Sequence, residues 1–207
     1  KCAHNAFAAL PTFRGCFGSE AQRKENNMKI MIASDLHGSA KYVSKLMEAY
    51  KKENPDRLLL LGDILYHGPR NALPDLYDPK EVISLLQPAA DKIICVRGNC
   101  DTEVDAMVLP FDILAPRAVL LADGVTIYAA HGHNLSDDFL SKLHGEILLC
   151  GHTHVPECRE YDNYTYINPG SVSIPKQDSP HSYMIFDGPF HWKTLGGEEY
   201  NQKEITK

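Results

Sequence analysis

Five short apolar runs in this chain each end in side chains of the kind that bind metal ions. The runs cover residues 29–33, 57–61, 92–96, 125–130 and 146–150. Their length and apolar content are typical of buried β-strands. The polar side chains that follow the runs are, in order, Asp35 and His37, Asp63, Asn99, His131, and His152 and His154. This pattern predicts a fold in which several strands end at one place and deliver seven ligand-type groups there.

Helical patterns separate the first three runs. Ser39 stands at the N-cap position of a predicted helix whose apolar residues recur at helical spacing as far as Tyr50, and Pro55 follows its end. Pro79 suits the first turn of a second helix, which we expect to stop at Pro88. This alternation of strand and helix predicts a mainly parallel sheet covered by helices.

The second half of the chain has a different pattern. Gly124 lies in a predicted hairpin turn between strands at residues 117–121 and 125–130, and a short helix is predicted at 136–143. Further, mostly antiparallel strands are predicted at residues 159–167, 182–186 and 190–195, with turns at 168–171 and 187–188. The economical interpretation is one α/β domain with either two sheets or one strongly mixed sheet.

The first 27 residues show neither strand nor helix periodicity. We interpret residues 1–27 as a disordered N-terminal extension and residues 28–207 as a single domain that starts at Met28. A secretory or organellar leader is the alternative, but the apolar piece at residues 6–10 is short and stops at Pro11.

Charge and composition narrow the classes of partner. The net charge of −6 does not favour a general nucleic-acid surface or an anionic membrane surface. No apolar run approaches the ~20 residues that a membrane span needs. The six cysteines form no Cys-x-x-Cys pair, so neither a disulfide scaffold nor a zinc finger is indicated, and we expect a cytoplasmic protein. The oligomeric state is open, with a homo-oligomer as one option.

The seven ligand-type residues indicate the chemistry of the site. Carboxylate, imidazole and amide oxygen together suit divalent ions such as Mn²⁺, Fe²⁺, Zn²⁺, Co²⁺ or Ni²⁺, of which we expect Mn²⁺. No cysteine stands among them, which argues against a structural zinc site. Seven groups are too many for one ion, but two ions that share one carboxylate would each have four protein ligands. Such a pair can hold a bridging hydroxide and stabilise a phosphoryl displacement.

The charge of such a centre supports this reaction class. Two aspartates offset part of the +4 of two divalent ions, and a bridging hydroxide leaves the cluster at about +1. A small anionic phosphate ester is therefore the expected substrate.

The motifs, in this order, resemble those of the calcineurin-like metallophosphoesterases. They are residues 35–37 (Asp-Leu-His), 62–63 (Gly-Asp), 98–101 (Gly-Asn-Cys-Asp), 131–133 (His-Gly-His) and 151–154 (Gly-His-Thr-His). Residues 62–74, 96–101 and 168–175 look more closely like the small bacterial YfcE-type phosphodiesterases, and the resemblance spans about residues 28–185. It implies a four-layer α/β/β/α sandwich of two mixed sheets flanked by helices, and a metal-dependent phosphodiesterase.

The resemblance also implies how the ligands are shared. Asp35, His37 and His154 would hold the first metal ion. The second ion would be held by Asn99, His131 and His152. Asp63 would bridge the two ions, with the attacking hydroxide between them.

One residue departs from the pattern of the larger family members. They usually carry a histidine where this chain has Cys100, and a thiol is a poor substitute for imidazolium, so general-acid help of ~10²–10⁴-fold has to come from elsewhere or is missing. His67 is our candidate substitute, and Arg70 is a candidate for pairing with a phosphate oxygen. The predicted catalytic residues are therefore Asp63, Asn99, His67, Arg70 and Cys100.

Some roles and functions stay open at this point. His133 is a neighbour of the metal ligands, a substrate contact or a turn residue, and Asp101 is expected to orient a neighbour of the site. The alternative functions are a phosphomonoesterase, which the missing histidine disfavours, and a protein-binding scaffold of the retromer-subunit type.

Overall fold

The computed structural model describes residues 28–122 and 124–205, so the predicted N-terminal extension lies outside the described residues. The strands, in chain order, are β1 (Ile30–Ala33), β2 (Arg57–Leu60), β3 (Ile93–Cys95), β4 (Ala118–Ala122), β5 (Val125–Ala129), β6 (Glu146–Leu149), β7 (Pro156–Glu160), β8 (Tyr164–Pro169), β9 (Ser182–Phe186), β10 (Phe190–Thr194) and β11 (Glu199–Lys203). The helices are α1 (Ala40–Glu53), α2 (Pro79–Leu86), α3 (Glu103–Ala106) and α4 (Asp137–Leu140), and a 3₁₀ segment (Gln87–Lys92) follows α2.

The strands form two mixed sheets. The six-stranded sheet has the order β11-β10-β9-β1-β2-β3, in which β1, β2 and β3 are parallel and the other neighbours are antiparallel. The five-stranded sheet has the order β4-β5-β6-β8-β7, in which β5, β6 and β8 are parallel. The parallel strands form one side of the six-stranded sheet and the middle of the five-stranded sheet, and within each sheet their carboxyl ends point the same way.

The apolar side chains divide into three layers of packing. One cluster lies between the six-stranded sheet and the helices α1 and α2, a second lies between the two sheets, and a third lies under α4 on the outer face of the five-stranded sheet. The predicted four-layer α/β/β/α sandwich is thereby confirmed. Trp192 is fully buried between the sheets, and its Nε1 donates a hydrogen bond of 2.8 Å to the carbonyl of Asn168 on β8.

The helix signals in the first half are confirmed at both ends of α1. Ser39 is its N-cap, and the side-chain oxygen accepts a hydrogen bond from the backbone N–H of Tyr42. Asn54 ends the helix in a left-handed conformation, directly before Pro55. Pro79 begins α2, as predicted.

In the second half, one predicted strand was wrong, one predicted turn was shifted and one strand was missed. Residues 159–167 are not one strand, because the chain turns at residues 161–163 between the antiparallel strands β7 and β8. The backbone N–H of Tyr161 donates to the carbonyl of Tyr164 and closes this turn. The predicted turn at residues 168–171 is also shifted, because Asn168 and Pro169 are the last residues of β8. Strand β11 was not predicted, since its side chains are mostly exposed and polar.

Ion pairs of Glu53, the last residue of α1, link this helix to the six-stranded sheet. The carboxylate of Glu53 accepts hydrogen bonds from Lys29 (2.7 Å), Lys193 (2.6 Å) and the hydroxyl of Tyr183 (3.1 Å). Burial alone raises the pKa of Glu53, but the two lysine ammonium groups outweigh it and lower the pKa to about 2. The ionised carboxylate therefore stabilises the folded state.

We expect Glu53→Gln to lower the free energy of unfolding at pH 7 by about 1–2 kcal/mol. This value is smaller than the pKa shift alone would imply, because the ion pairs are partly exposed and water screens them. The folded-state pKa is lowered, so this contribution is complete above the ordinary glutamate value of 4.5 and vanishes as the pH falls towards 2. Urea denaturation of both proteins between pH 7 and pH 2 measures the difference. A constant difference across that range would contradict the role of the carboxylate charge.

Candidate metal centre

The seven predicted ligand residues converge where the carboxyl ends of the parallel strands of both sheets meet. The six-stranded sheet contributes Asp35 and His37 after β1, Asp63 after β2 and Asn99 after β3, and the five-stranded sheet contributes His131 after β5 and His152 and His154 after β6. Five of these side chains are almost completely buried, His152 is half-buried and Asn99 is exposed. The site thus has a closed interior and one open side.

The backbone takes an uncommon conformation at most of these positions. The five ligand residues with a left-handed backbone are Asp35 (φ 58°), His37 (φ 47°), Asp63 (φ 58°), His152 (φ 68°) and His154 (φ 64°). For a residue with a side chain this conformation costs ~1–2 kcal/mol, because Cβ approaches the following carbonyl oxygen. Such strain persists only where surrounding contacts enforce it, and it is concentrated at functional sites.

One group of ligand atoms surrounds the side chain of Asp35. The Nε2 atoms of His37 and His154 lie 3.3 Å from each other. The Oδ1 atom of Asp35 lies 3.3 Å from Nε2 of His154 and 3.7 Å from Nε2 of His37. These three atoms lie within 4.8 Å of one another, which is close enough to share one ion.

The opposite ring nitrogens fix the tautomer of these histidines. Nδ1 of His37 donates to the carbonyl of Tyr66 (2.8 Å), and Nδ1 of His154 donates to the carbonyl of Ile174 (2.6 Å). Because a carbonyl only accepts, each Nδ1 carries a proton, and in the neutral ring the Nε2 lone pair is free. Two such lone pairs facing each other at 3.3 Å repel unless a cation lies between them.

The second group of ligand atoms surrounds His131. Its Nδ1 donates to the carbonyl of Leu61 (2.7 Å), so its Nε2 also presents a lone pair. This Nε2 lies 3.0 Å from Oδ1 of Asn99 and 3.3 Å from Nδ1 of His152. An amide oxygen and two imidazole nitrogens therefore face one point.

Asp63 joins the two groups. Its Oδ2 lies 3.6 Å from Nε2 of His37 and 3.5 Å from Nε2 of His131. Its other oxygen, Oδ1, accepts a hydrogen bond of 2.8 Å from the backbone N–H of Cys100. The free oxygen is thus held between the two sets of ligands, which is the position of a shared carboxylate.

The donor set fits divalent cations. Oδ1 of Asp35 is fully buried and has no hydrogen-bond partner, which is costly for a carboxylate oxygen unless a cation compensates its charge. Burial alone raises the pKa of Asp35, but His154 and His37 outweigh it and hold the pKa far below its usual range. Burial lowers the pKa of His37, but Asp35 outweighs this effect and raises it, so protons compete with metal for the site.

A buried carboxylate holds the Asp63 loop in place. Asp101 accepts three backbone hydrogen bonds, from Asp63 (2.8 Å), Ile64 (2.8 Å) and Gly98 (2.7 Å). The loops after β2 and β3 are so close here that a Cβ atom on Gly98 would lie 2.1 Å from Oδ1 of Asp63. Asp101 therefore holds the loop that carries Asp63, in agreement with the expectation that it orients a neighbour of the site.

The loop after β8 supports Asp35 in the same way. The hydroxyl groups of Ser171 and Ser173 both donate to the Asp35 carbonyl, at 2.9 and 3.0 Å. The side-chain amide of Asn168 donates to the carbonyl of Gly151 at 2.8 Å. From the sequence, residues 168–171 were predicted first as a turn and only second as a neighbour of phosphate, and their hydrogen bonds to the Asp35 and Gly151 carbonyls were not expected.

An open cavity of about 490 Å³ lies next to the ligand groups. Its lining consists of Asp63, Gly68, Pro69, Arg70, Asn71, Asn99, Cys100, His152, Thr153, His154 and Lys176. Arg70 and Cys100 line it, whereas His67 does not, because the His67 ring packs edge-on against Tyr66 and Tyr77. The catalytic roles of these residues stay predictions. Lys176, which directly follows residues 168–175, also lines the cavity and was not predicted from the sequence.

The environment of Cys100 favours the neutral thiol. Burial raises its pKa to about 12, with a further contribution from the charge of Asp63. Its Sγ lies 3.1 Å from the side-chain nitrogen of Asn99, which donates to it. Sγ is also near enough to His37 and Asp63 to share an ion with them, but a thiol must lose its proton to bind a metal tightly. We therefore leave Cys100 out of the ligand set.

His133 lies beside the second group of ligands. Its ring centroid is 5.5 Å from that of His131 and 6.1 Å from that of His152. Burial and the neighbouring His131 lower the pKa of His133, so a neutral ring is favoured. This position fits a neighbour of the ligands rather than a member of the set.

The chain belongs to the calcineurin-like phosphoesterase superfamily, because the sequence model of that domain matches residues 28–188. Phosphodiesterase YfcE of Escherichia coli K12 is 44% identical over 161 residues, which are 77% of this chain and 88% of that protein. The structure of E. coli YfcE, described as a phosphoesterase, superposes with a TM-score of 0.82 and 40% identity, covering 86% of this chain and all of that one. The fold and this identity make the chain a hydrolase.

A more distant likeness shows the fold alone. Vacuolar protein sorting 29 of Cryptosporidium parvum superposes with a TM-score of 0.60 at 17% identity, covering 88% of this chain and all of that one.

Among the described residues, no helix is both long enough and apolar enough to cross a membrane.

We expect Asp101→Asn to lower the free energy of unfolding by about 3 kcal/mol, because an amide can accept only part of the three backbone hydrogen bonds. Metal affinity should fall as well, since the Asp63 loop loses its support. Urea denaturation and metal titration measure the two effects. The prediction fails if the variant keeps both wild-type stability and wild-type affinity. Asp162→Asn, in the exposed turn between β7 and β8, is the matched control and should change neither.

His152→Ala and His154→Ala should each remove a different metal ion. We expect about two equivalents of Mn²⁺ per chain in the wild type and about one in each variant, because the two imidazoles belong to separate ligand groups. Equilibrium dialysis followed by elemental analysis gives the stoichiometry. Loss of both ions, or of neither, in both variants would show that the two histidines do not serve separate ions. His144→Ala, at an exposed position, is the control.

Proposed function

We propose that this chain is a phosphodiesterase that depends on two divalent metal ions. The observation that carries the proposal is the position of Asp63, whose Oδ2 lies at nearly equal distances from one histidine of each ligand group. The 44% identity of the chain to a phosphodiesterase, YfcE, supports the choice of a diester as the substrate.

The ligand groups divide between the two ions. Asp35, His37 and His154 would hold the first ion, and Asn99, His131 and His152 would hold the second. Asp63 would be common to both. When bound, the ions would lower the pKa of a water molecule so that its hydroxide attacks phosphorus, and would neutralise the phosphate oxygens. Mn²⁺ is our choice of metal, because the set is rich in oxygen and imidazole and contains no thiolate.

The protein side chains would then orient the substrate and the ligands. Nδ1 of His37, His131 and His154 is anchored to backbone carbonyls, which keeps each ring aimed at the site without a further change of position. Arg70 lines the cavity, where its guanidinium is available for a charge-assisted hydrogen bond to a phosphate oxygen of the substrate. The cavity of about 490 Å³ has room for a small phosphodiester.

The neutral thiol of Cys100 affects which kind of phosphate ester, monoester or diester, the site favours. With a pKa of about 12 it neither donates a proton readily to a departing alkoxide nor carries a positive charge that would attract a dianion. Cys100 therefore adds no attraction for the dianion of a phosphate monoester, whereas a histidinium at this position would. The cytoplasm as the place of action, the His67 role and a homo-oligomeric state stay predictions.

Hydrolysis of bis(p-nitrophenyl) phosphate beside p-nitrophenyl phosphate, with and without Mn²⁺, tests the proposal. We expect metal-dependent turnover with a higher kcat/KM for the diester. Asp63→Asn should reduce diester turnover by at least about 10³-fold, because both ions lose a ligand, while Asp162→Asn should leave it unchanged. Faster turnover of the monoester would indicate a phosphomonoesterase. Absence of hydrolysis with every divalent metal would leave the scaffold alternative.

A further inference from the structure

Two basic side chains at the cavity have no acidic partner within residues 28–122 and 124–205. Arg70 and Lys176 both line the cavity, and both residues are exposed. Several other cations of residues 28–122 and 124–205 are paired with carboxylates, but the ion pairs in this part of the chain include neither Arg70 nor Lys176. These two charges are therefore available to an anion that enters the cavity.

The backbone around Lys176 is firmly held beside the metal centre. Its N–H donates to the carbonyl of His154 at 3.2 Å, and its carbonyl accepts from the N–H (3.1 Å) and the hydroxyl (2.6 Å) of Ser179. The two residues between them, Gln177 and Asp178, are both left-handed, with φ of 55° and 56°. A strained, hydrogen-bonded turn thus fixes the position of Lys176 next to a ligand of the first ion.

Arg70 reaches the same cavity from a different sheet. It lies in the loop after β2, whereas Lys176 lies in the connection after β8. The side-chain amide of Asn71 donates to the carbonyl of His67 at 2.8 Å, and its N–H donates to the carbonyl of Gly68 at 3.4 Å. These bonds close a turn around Arg70. Two independently built loops therefore bring one positive charge each to the cavity.

These charges exceed what a simple diester needs. Two divalent ions, the carboxylates of Asp35 and Asp63 and an attacking hydroxide together carry about +1, which the single negative charge of a diester offsets. Arg70 and Lys176 raise the positive charge at the cavity by about two further units. We propose that Arg70 and Lys176 form an anion subsite for a second phosphate group carried by the substrate. This inference rests on the proposed phosphodiesterase function and narrows its substrate to phosphodiesters that bear an additional phosphate.

Thymidine 3′,5′-bisphosphate and thymidine 5′-monophosphate test the subsite as a matched pair of ligands. Titration calorimetry with the Mn²⁺-loaded full chain should show that the bisphosphate binds about tenfold more tightly. Lys176→Gln should remove most of this preference, and the double variant with Arg70→Gln should remove all of it. Lys51 is an exposed lysine of α1 that does not line the cavity, so Lys51→Gln is the control and should retain the preference.

Two results would overturn the subsite. Equal affinity of the two ligands for the wild type would show that the second phosphate has no partner. An equal loss of affinity for both ligands in Lys176→Gln would place the lysine on the first phosphate instead.

A parallel assay separates this inference from the proposed function. It compares hydrolysis of the p-nitrophenyl ester of thymidine 5′-phosphate with and without a 3′-phosphate. We expect the 3′-phosphate to raise kcat/KM about tenfold in the wild type and about twofold or less in Lys176→Gln. A preserved binding preference without hydrolysis of either ester would refute the phosphodiesterase and leave the subsite. Hydrolysis of both esters at equal rates, without a binding preference, would refute the subsite alone.

Discussion

The structure depends on the free-energy cost of burying carboxylates and imidazole nitrogens close to one another. Asp35 and Asp63 are almost completely inside the protein, and the Nε2 atoms of His37 and His154 approach within 3.3 Å. With their Nδ1 protons committed to carbonyls, these histidines present lone pairs rather than donors to each other. A metal ion or a bound proton relieves this repulsion, so the cluster is suited to binding cations and differs from an ordinary apolar core.

The surrounding protein holds the cluster through backbone groups. Three carbonyls orient three imidazoles, the Asp101 carboxylate holds the loop that carries Asp63, and two serine hydroxyls hold the carbonyl of Asp35. Bonds of this kind reach across from one sheet to the other, because the ligands come from strand ends of both. The apolar layers between and outside the sheets therefore determine the geometry of the site as much as the polar residues do.

Much of this arrangement could be predicted from the sequence. Apolar runs that end in ligand-type residues indicate both the positions of the strands and the residues of the site. The α1 caps and the parallel strands β1 to β3 rest on local signals that the structure confirms. Strand β11 could not be found, since its exposed polar side chains show no alternation, and the turn between β7 and β8 was missed because it has no glycine or proline. The position of Lys176 depends on a long-range contact with His154, and no local pattern encodes such a contact.

The left-handed backbone at five candidate ligands bears on when the metal site forms during folding. A short peptide does not hold consecutive loops in that conformation, and the ligands come from segments as far apart as Asp35 and His154. The unfolded chain therefore presents only scattered histidines and aspartates, with no preformed chelate. Both sheets must therefore dock before all of these ligands come together, and metal that binds only the assembled site then adds its binding free energy to the stability of the folded chain.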